Sequence, residues 1–265
     1  MKNLFKENIA FSVLTICTVL YLSSCGKKSD DASPSTPTGT LQFHLHTNVD
    51  TNEVGDFNTV YSIPVPGSAT ARRNISVSAA ELYISNIQLV RSDGSLYNVS
   101  NEIVLKVQPI EPYTIGNVPA GNYKSVRFYV GLDPTTDKRV LVLPADSVLN
   151  HSEMWFGSAA TNGHLFINFQ GSIDTTTVAS GSSMTPFSFK LGTNKNYQPV
   201  IVTQSFTVSP NQTQFVHMIV DYSKLFTSVT LNNANNINIS SHTDSTSNNA
   251  IQISNNISSM FRNEY

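Results

Sequence analysis

Two histidines one residue apart, His44 and His46, are the first groups in the chain whose type and spacing could do chemistry. On a β-strand, residues i and i+2 point to the same face, so these imidazoles could share one ion. Imidazole is a good ligand for copper in either common oxidation state. The pair suits equally well the wet face of an amphipathic strand, and no third ligand follows it closely in sequence. A second group comprises His151, Glu153, Met154 and Trp155, with His164 nearby. Thioether and imidazole together favour soft copper, while Met154 and Trp155 also suit a hydrophobic plug that folds a loop onto the core. His217 stands between apolar neighbours in Gln214-Phe-Val-His-Met-Ile-Val-Asp-Tyr and shares a face with Phe215, Ile219 and Asp221. That setting predicts a core or interface residue rather than a ligand. Asp221 is expected to cap a turn or pin the Lys224 region. The candidate metal ligands are therefore His44, His46, His164 and Met154.

Catalytic signatures are missing. The sequence holds no Gly-x-Ser-x-Gly elbow, no phosphate-binding loop, no His-Glu-x-x-His and no Cys-His pair. Carboxylates such as Glu102 and Glu111 exist, but nothing in the sequence brings them together. The expected protein is not an enzyme.

The elements that must position these residues are mostly strands. Leu41, Phe43 and Leu45 alternate with Gln42, His44 and His46, and Ile75-Ser-Val-Ser-Ala continues the period of two. Further strands are predicted at Leu82 to Val90, Tyr97 to Val107, Ser125 to Leu132, His164 to Phe169, Phe187 to Lys190, Val200 to Val208 and Gln214 to Asp221. Arg91-Ser-Asp-Gly-Ser is a turn whose Asp-Gly suits positive φ. Near the end, Ala250, Ile253, Ile257, Met260 and Phe261 recur at spacings of three and four, which predicts a short amphipathic helix. Asp133 to Phe156 and Asp174 to Thr185 read as long loops. Many short strands with polar turns predict an all-β protein, an antiparallel β-sandwich with long loops and a short C-terminal helix.

The N-terminus states where such a domain would sit. Lys2 and Lys6 precede an apolar stretch from Ile9 to Leu22, about 14 residues, and then Leu22-Ser-Ser-Cys25-Gly. This is the order of a secretory signal, and the stretch falls short of the roughly 20 residues that span a membrane. A cysteine directly after the small residues resembles the bacterial lipobox. Residues 1–24 are thus expected to be removed and Cys25 to carry lipid, anchoring the chain to the outer membrane. Cys17 leaves with the signal, so the mature chain keeps no thiol for a disulfide, a metal or a nucleophile. Residues 25–39, rich in Ser, Thr, Pro and charge, read as a disordered tether before a domain at 40–265. Ser29-Asp-Asp resembles the acidic surface-export signal of Bacteroidetes lipoproteins, and leaves both the periplasmic and the cell-surface side open. Loss of Lys2, Lys6 and Glu7 takes the net charge from −2 to −3. The remaining basic residues form no stripe, which argues against nucleic acid. Charged residues make up only 13% against about 25% in an average soluble protein, so Ser, Thr and Asn supply the polarity.

Several segments, in order along nearly the whole mature chain, resemble the MbnP-like copper-binding proteins, which include MopE/CorA-type surface proteins. They are Glu81-Leu-Tyr-Ile-Ser-Asn-Ile-Gln-Leu-Val-Arg-Ser-Asp-Gly, Val118-Pro-Ala-Gly-Asn-Tyr with the following strand, Met154-Trp155, and Gly163-His-Leu-Phe-Ile-Asn-Phe-Gln-Gly171. Phe187-Ser-Phe-Lys-Leu-Gly, Val220-Asp-Tyr-Ser-Lys-Leu-Phe, His242 and Asn255 to Phe261 complete the set. The resemblance implies copper held by histidines, with a tryptophan oxidised to kynurenine by a dihaem peroxidase-like partner; Trp155 is the tryptophan in question. The departures are specific: Lys190 stands where the family has a histidine, His164 where it has a tyrosine, Gln170 where it has a glutamate, and a second tryptophan is missing. The expected function is non-catalytic copper binding or handling by a cell-envelope lipoprotein. The alternative is a surface-exposed binding or adhesion module, for glycan or protein, that keeps the fold without the metal.

Overall fold

Strict alternation builds the first strand, β1 (Thr38–Val49): Leu41, Phe43 and Leu45 are fully buried, while Gln42, His44 and His46 keep partial exposure on the opposite face. The computed structural model describes residues 36–65, 68, 70–100, 102–137, 146–157, 162–231, 237–241 and 248–265. The expected signal peptide (1–24), Cys25, Ser29-Asp-Asp and His242 lie outside the described residues. β1 begins at Thr38, inside the segment expected to be tether.

The remaining strands are β2 (Asn52–Glu53), β3 (Val60–Pro64), β4 (Arg72–Arg91), β5 (Leu96–Asn98), β6 (Val104–Lys106), β7 (Pro112–Pro119), β8 (Gly121–Val130), β9 (Leu165–Asp174), β10 (Met184–Gly192), β11 (Gln198–Val208), β12 (Thr213–Asp221), β13 (Asn238–Ser241) and β14 (Phe261–Asn263). The helices are α1 (Pro134–Asp137) and α2 (Asn248–Asn256). One sheet has five strands in the order β14-β12-β1-β2, with β7 also on β1; the other has nine, β11-β8-β4-β9-β10-β13, with β3, β5 and β6 also on β4. The all-β sandwich expected from the sequence is the observed fold, with one difference. It is not wholly antiparallel: β1 runs parallel to β12, and β10 parallel to β13.

The two sheets meet over a shared apolar core. Phe43 of β1 packs on Phe128 of β8, and Phe128 on Phe261 of β14, with ring centroids 6.3 and 5.0 Å apart. Towards the other end, Phe169 contacts Phe187, Phe189, Tyr222 and Phe226. Each such ring, fully buried, stabilises the fold by roughly 1.5–3 kcal/mol. A satellite cluster of Tyr83, Leu132, Leu149, Met154, Phe156, Leu165 and Phe166 lies under the segment 146–157.

Element boundaries differ from expectation for local reasons. The two runs predicted around residues 75–79 and 82–90 are one strand of 20 residues, β4. Tyr97 to Val107 is not one strand but β5 and β6, both short partners of β4. The helix expected through Phe261 ends at Asn256; a 3-10 turn follows at Ile257–Met260, and Phe261 starts β14. Gly94 takes φ +92 in the Asp-Gly turn, as expected there. Gly116, at φ +119, sits where β7 bulges against β1, shifting the register between Leu41 and Gln42. Beyond that shift His44 faces Pro112, so Glu111 arrives beside the histidines.

One charged side chain is enclosed by the sandwich. Lys106 is fully buried and its Nζ donates to Thr47 Oγ1. Burial disfavours the ammonium and lowers its pKa from 10.5 to about 8, against a smaller opposing pull from Glu111. The unfolded chain therefore holds this proton to higher pH than the native one, so the buried charge costs stability below pH 8 and the cost fades as pH rises toward 10.5. Lys106→Met is expected to gain about 2 kcal/mol at pH 7, less than the full shift because the bond to Thr47 is lost. Urea unfolding at pH 7 and pH 10 checks this; a variant equally destabilised at both would contradict it.

Candidate functional site

Three imidazoles converge on the outer face of the five-stranded sheet. The parallel pairing of β1 with β12 sets His44 directly beside His217, with His46 one pleat further along β1. Val216, Met218 and Val220 fill the core side of β12, which turns His217 outward. Its side chain is 31% exposed, so the core or interface reading of His217 is corrected: the apolar neighbours belong to the other face of the strand or to its wet surface, where Phe215 is exposed. Nδ1 of His44 lies 3.0 Å from Nδ1 of His217. One ring nitrogen from each of His44, His46 and His217 falls within a sphere where all are within 4.8 Å of one another.

Three carboxylates surround this cluster, each delivered by a neighbouring strand. Glu111, at the entry to β7, places Oε2 3.0 Å from His44 Nε2 and Oε1 3.3 Å from His46 Nδ1. Glu53 of β2 places Oε1 3.2 Å from His46 Nδ1. Glu264, just after β14, places Oε2 3.2 Å from His217 Nδ1 and 3.6 Å from His46 Nε2. Carboxylates accept hydrogen bonds, so Glu111 fixes the proton of His44 on Nε2, and Glu53 with Glu111 fixes that of His46 on Nδ1. The lone pairs of His44 Nδ1 and His46 Nε2 are left for the interior of the cluster.

The donor set fits a transition-metal ion. Two ligand nitrogens at about 2.0 Å from one ion stand roughly 2.8 Å apart at a right angle and 3.3 Å apart at a tetrahedral one. The two Nδ1 atoms stand 3.0 Å apart, between these values; there His217 Nδ1–H donates to the His44 lone pair, and a metal ion would take the place of that proton. Glu264 Oε2 is buried with no hydrogen-bond partner although ring nitrogens surround it, a costly arrangement that a cation would relieve.

The MbnP family's sequence model matches residues 38–242. The chain belongs to the MbnP family. Among solved structures it is similar to MbnP from Methylosinus trichosporium, at 15% identity over 74% of this chain and 80% of that one, with a TM-score of 0.51. At that identity the likeness is one of fold. No curated protein sequence matches the chain. In this MbnP-family protein His44, His46 and His217 fall inside the matched residues, and Glu264 falls beyond them.

The structure does not bring the other expected ligands to this place. His164 is 1% exposed; its Nδ1 faces Asp137 Oδ1 at 3.3 Å and its Nε2 the Leu149 carbonyl at 3.3 Å. Both ring nitrogens are thus engaged in holding α1 and the 3-10 turn at Val148–Asn150. Met154 is fully buried in the satellite core. Trp155 is half-buried and donates from Nε1 to the Leu149 carbonyl at 2.9 Å. His151 pairs with Glu81 at 3.1 Å. This segment is the hydrophobic plug, and among the described residues the converging groups of histidines and carboxylates include neither His151 nor Glu153. Asp221 caps as expected, accepting from Ser223 N and Oγ, and also from Asp50 N. Lys190, in place of the family's histidine, sits on β10 opposite Asn168, and Gln170 donates to Asn168 Oδ1.

His217 is hard to find in the sequence because Phe215 and Ile219 share its face of β12, so both faces of the strand read as apolar; the signal that finds it is register, not composition. Met154→Ala is expected to lower stability by about 3 kcal/mol in urea unfolding and to leave any copper stoichiometry unchanged. Loss of copper from a folded Met154→Ala protein would place the metal at the plug instead.

Proposed function

We propose that this protein binds one copper ion through His44, His46 and His217, and that it acts non-catalytically in copper binding or handling at the cell envelope, anchored by lipid on Cys25. The observation that carries the reading is the convergence of three imidazole nitrogens, with the tautomers of His44 and His46 set by Glu111 and Glu53. Carboxylates behind ligating histidines fix the ring and raise its basicity, as in established metal sites. Imidazole donors suit copper, and the MbnP family is linked to copper binding. The site is shallow and half-exposed, which suits uptake and release of an ion better than enclosure of a reaction. A dihaem peroxidase-like partner would belong to the same reading, with Trp155 as the residue it oxidises.

Calorimetric titration of the mature protein is expected to give one copper per chain, with binding lost in His44→Ala/His46→Ala and weakened at least tenfold in His217→Ala. Binding no tighter than that of a generic histidine-bearing surface, or unaffected by these changes, would contradict the reading.

A second reading draws on a different feature. Beside β4 and β9 a polar recess is lined by Phe57, Glu81, Gln108, Glu153, Asn168 and Gln170, and an exposed ring next to amides and carboxylates is a surface suited to sugars. In that reading the fold serves adhesion. A glycan array is expected to show binding abolished by Phe57→Ala, and no signal on the array would set it aside.

A further inference from the structure

The C-terminal strand contributes the feature of this site that the histidines alone do not explain. β14 pairs antiparallel with β12, Asn263 opposite Met218, and Glu264 N donates to the His217 carbonyl at 3.4 Å. This pairing carries the Glu264 carboxylate over the imidazoles. Its Oε2 lies 3.2 Å from His217 Nδ1 and 3.6 Å from His46 Nε2, buried and without a hydrogen-bond partner. The tautomers argued above leave His46 Nε2 as a lone pair, so two electron-rich atoms face each other there with no proton assigned between them. Glu53 and Glu111 differ: they sit behind the rings, on the N–H side. Beyond Glu264, Tyr265 lays its ring 5.7 Å from that of His217, on the outer side of the cluster.

We propose that Glu264 is the fourth donor of this site and that its anionic oxygen makes the site one for divalent copper in preference to monovalent copper. The proposal rests on the reading of His44, His46 and His217 as copper ligands and adds the oxidation state. Three neutral imidazoles alone serve either state. An added carboxylate oxygen is a hard ligand, and a tetragonal set of nitrogen and oxygen donors is the environment of Cu(II), whereas Cu(I) is selected by thiolate and thioether. Met154, the one thioether named for metal binding, is buried in the satellite core, and Met218, next to His217 in sequence, points into the main core. Glu264 lies beyond residues 38–242, the part of the chain matched to the family.

The test compares the mature protein with Glu264→Gln and with a chain ending at Asn263, all checked for equal thermal unfolding without metal. Cu(II) and Cu(I) affinities are measured separately by competition with chromophoric chelators selective for each ion, and the Cu(II) forms by electron paramagnetic resonance. Both variants are expected to lose at least tenfold in Cu(II) affinity and less than threefold in Cu(I) affinity, with a changed Cu(II) spectrum. Unchanged Cu(II) affinity in Glu264→Gln, or equal losses for both ions, overturns the proposal while leaving the three-histidine reading in place. Absence of tight copper binding by the unaltered protein, for either ion, overturns that reading and this one with it.

Discussion

The parallel pairing of β1 with β12 is the constraint on which the outer face depends. Most strands of the sandwich pair with antiparallel neighbours, but here two strands distant in sequence run side by side in the same direction, Thr40 against Thr213 through Asn48 against Asp221. The register is held at both ends. At the start, Thr40 N donates to the Gln212 carbonyl and Asn211 N to that of Thr38. At the finish, the buried Asp221 carboxylate accepts from Asp50 N, at the turn leaving β1, and from Ser223 N and Oγ at the 3-10 helix leaving β12. A slip of β1 by one residue would exchange its two faces, burying His44 and His46 and exposing Leu41, Phe43 and Leu45. The core thus specifies the site: the same alternation that fills the sandwich sets His44 beside His217.

Around that pair, the sheet's edges act as suppliers of charge. β2, β7 and β14 each end or begin within reach of the histidines, and each carries one glutamate there. Three carboxylates crowd three imidazoles in a half-buried region, an arrangement that a shared cation favours. Their placement is unequal, since Glu53 and Glu111 face the N–H sides of the rings and Glu264 faces the interior of the cluster. The bulge at Gly116 is part of this arrangement, because it decides which residue of the β7 segment stands next to His44.

The fold class was legible in the sequence because alternation is a local signal, and so was the face on which His44 and His46 stand. What could not be read locally was pairing. His217 looked like a core residue because Val216, Met218 and Val220 dominate its window, yet those side chains lie on the opposite face. Glu53, Glu111 and Glu264 carry no motif; only sheet topology assembles them. His164 and Met154 looked like soft-metal ligands by type and proximity, but burial had already engaged them, the first between Asp137 and the Leu149 carbonyl and the second in the satellite core. Ile257, Met260 and Phe261 keep helical spacing, yet the chain tightens at Ile257–Met260 and Phe261 opens the strand that pairs with β12.

Register, rather than a local motif, brings together the three histidines proposed to bind copper. The most direct measurement is a crystal structure of the copper-loaded mature protein with anomalous scattering recorded at the copper edge. One anomalous peak is predicted about 2.0 Å from ring nitrogens of His44, His46 and His217. A peak at His151 and Glu81, at the segment holding Met154 and Trp155, or no ordered peak at all would contradict the account.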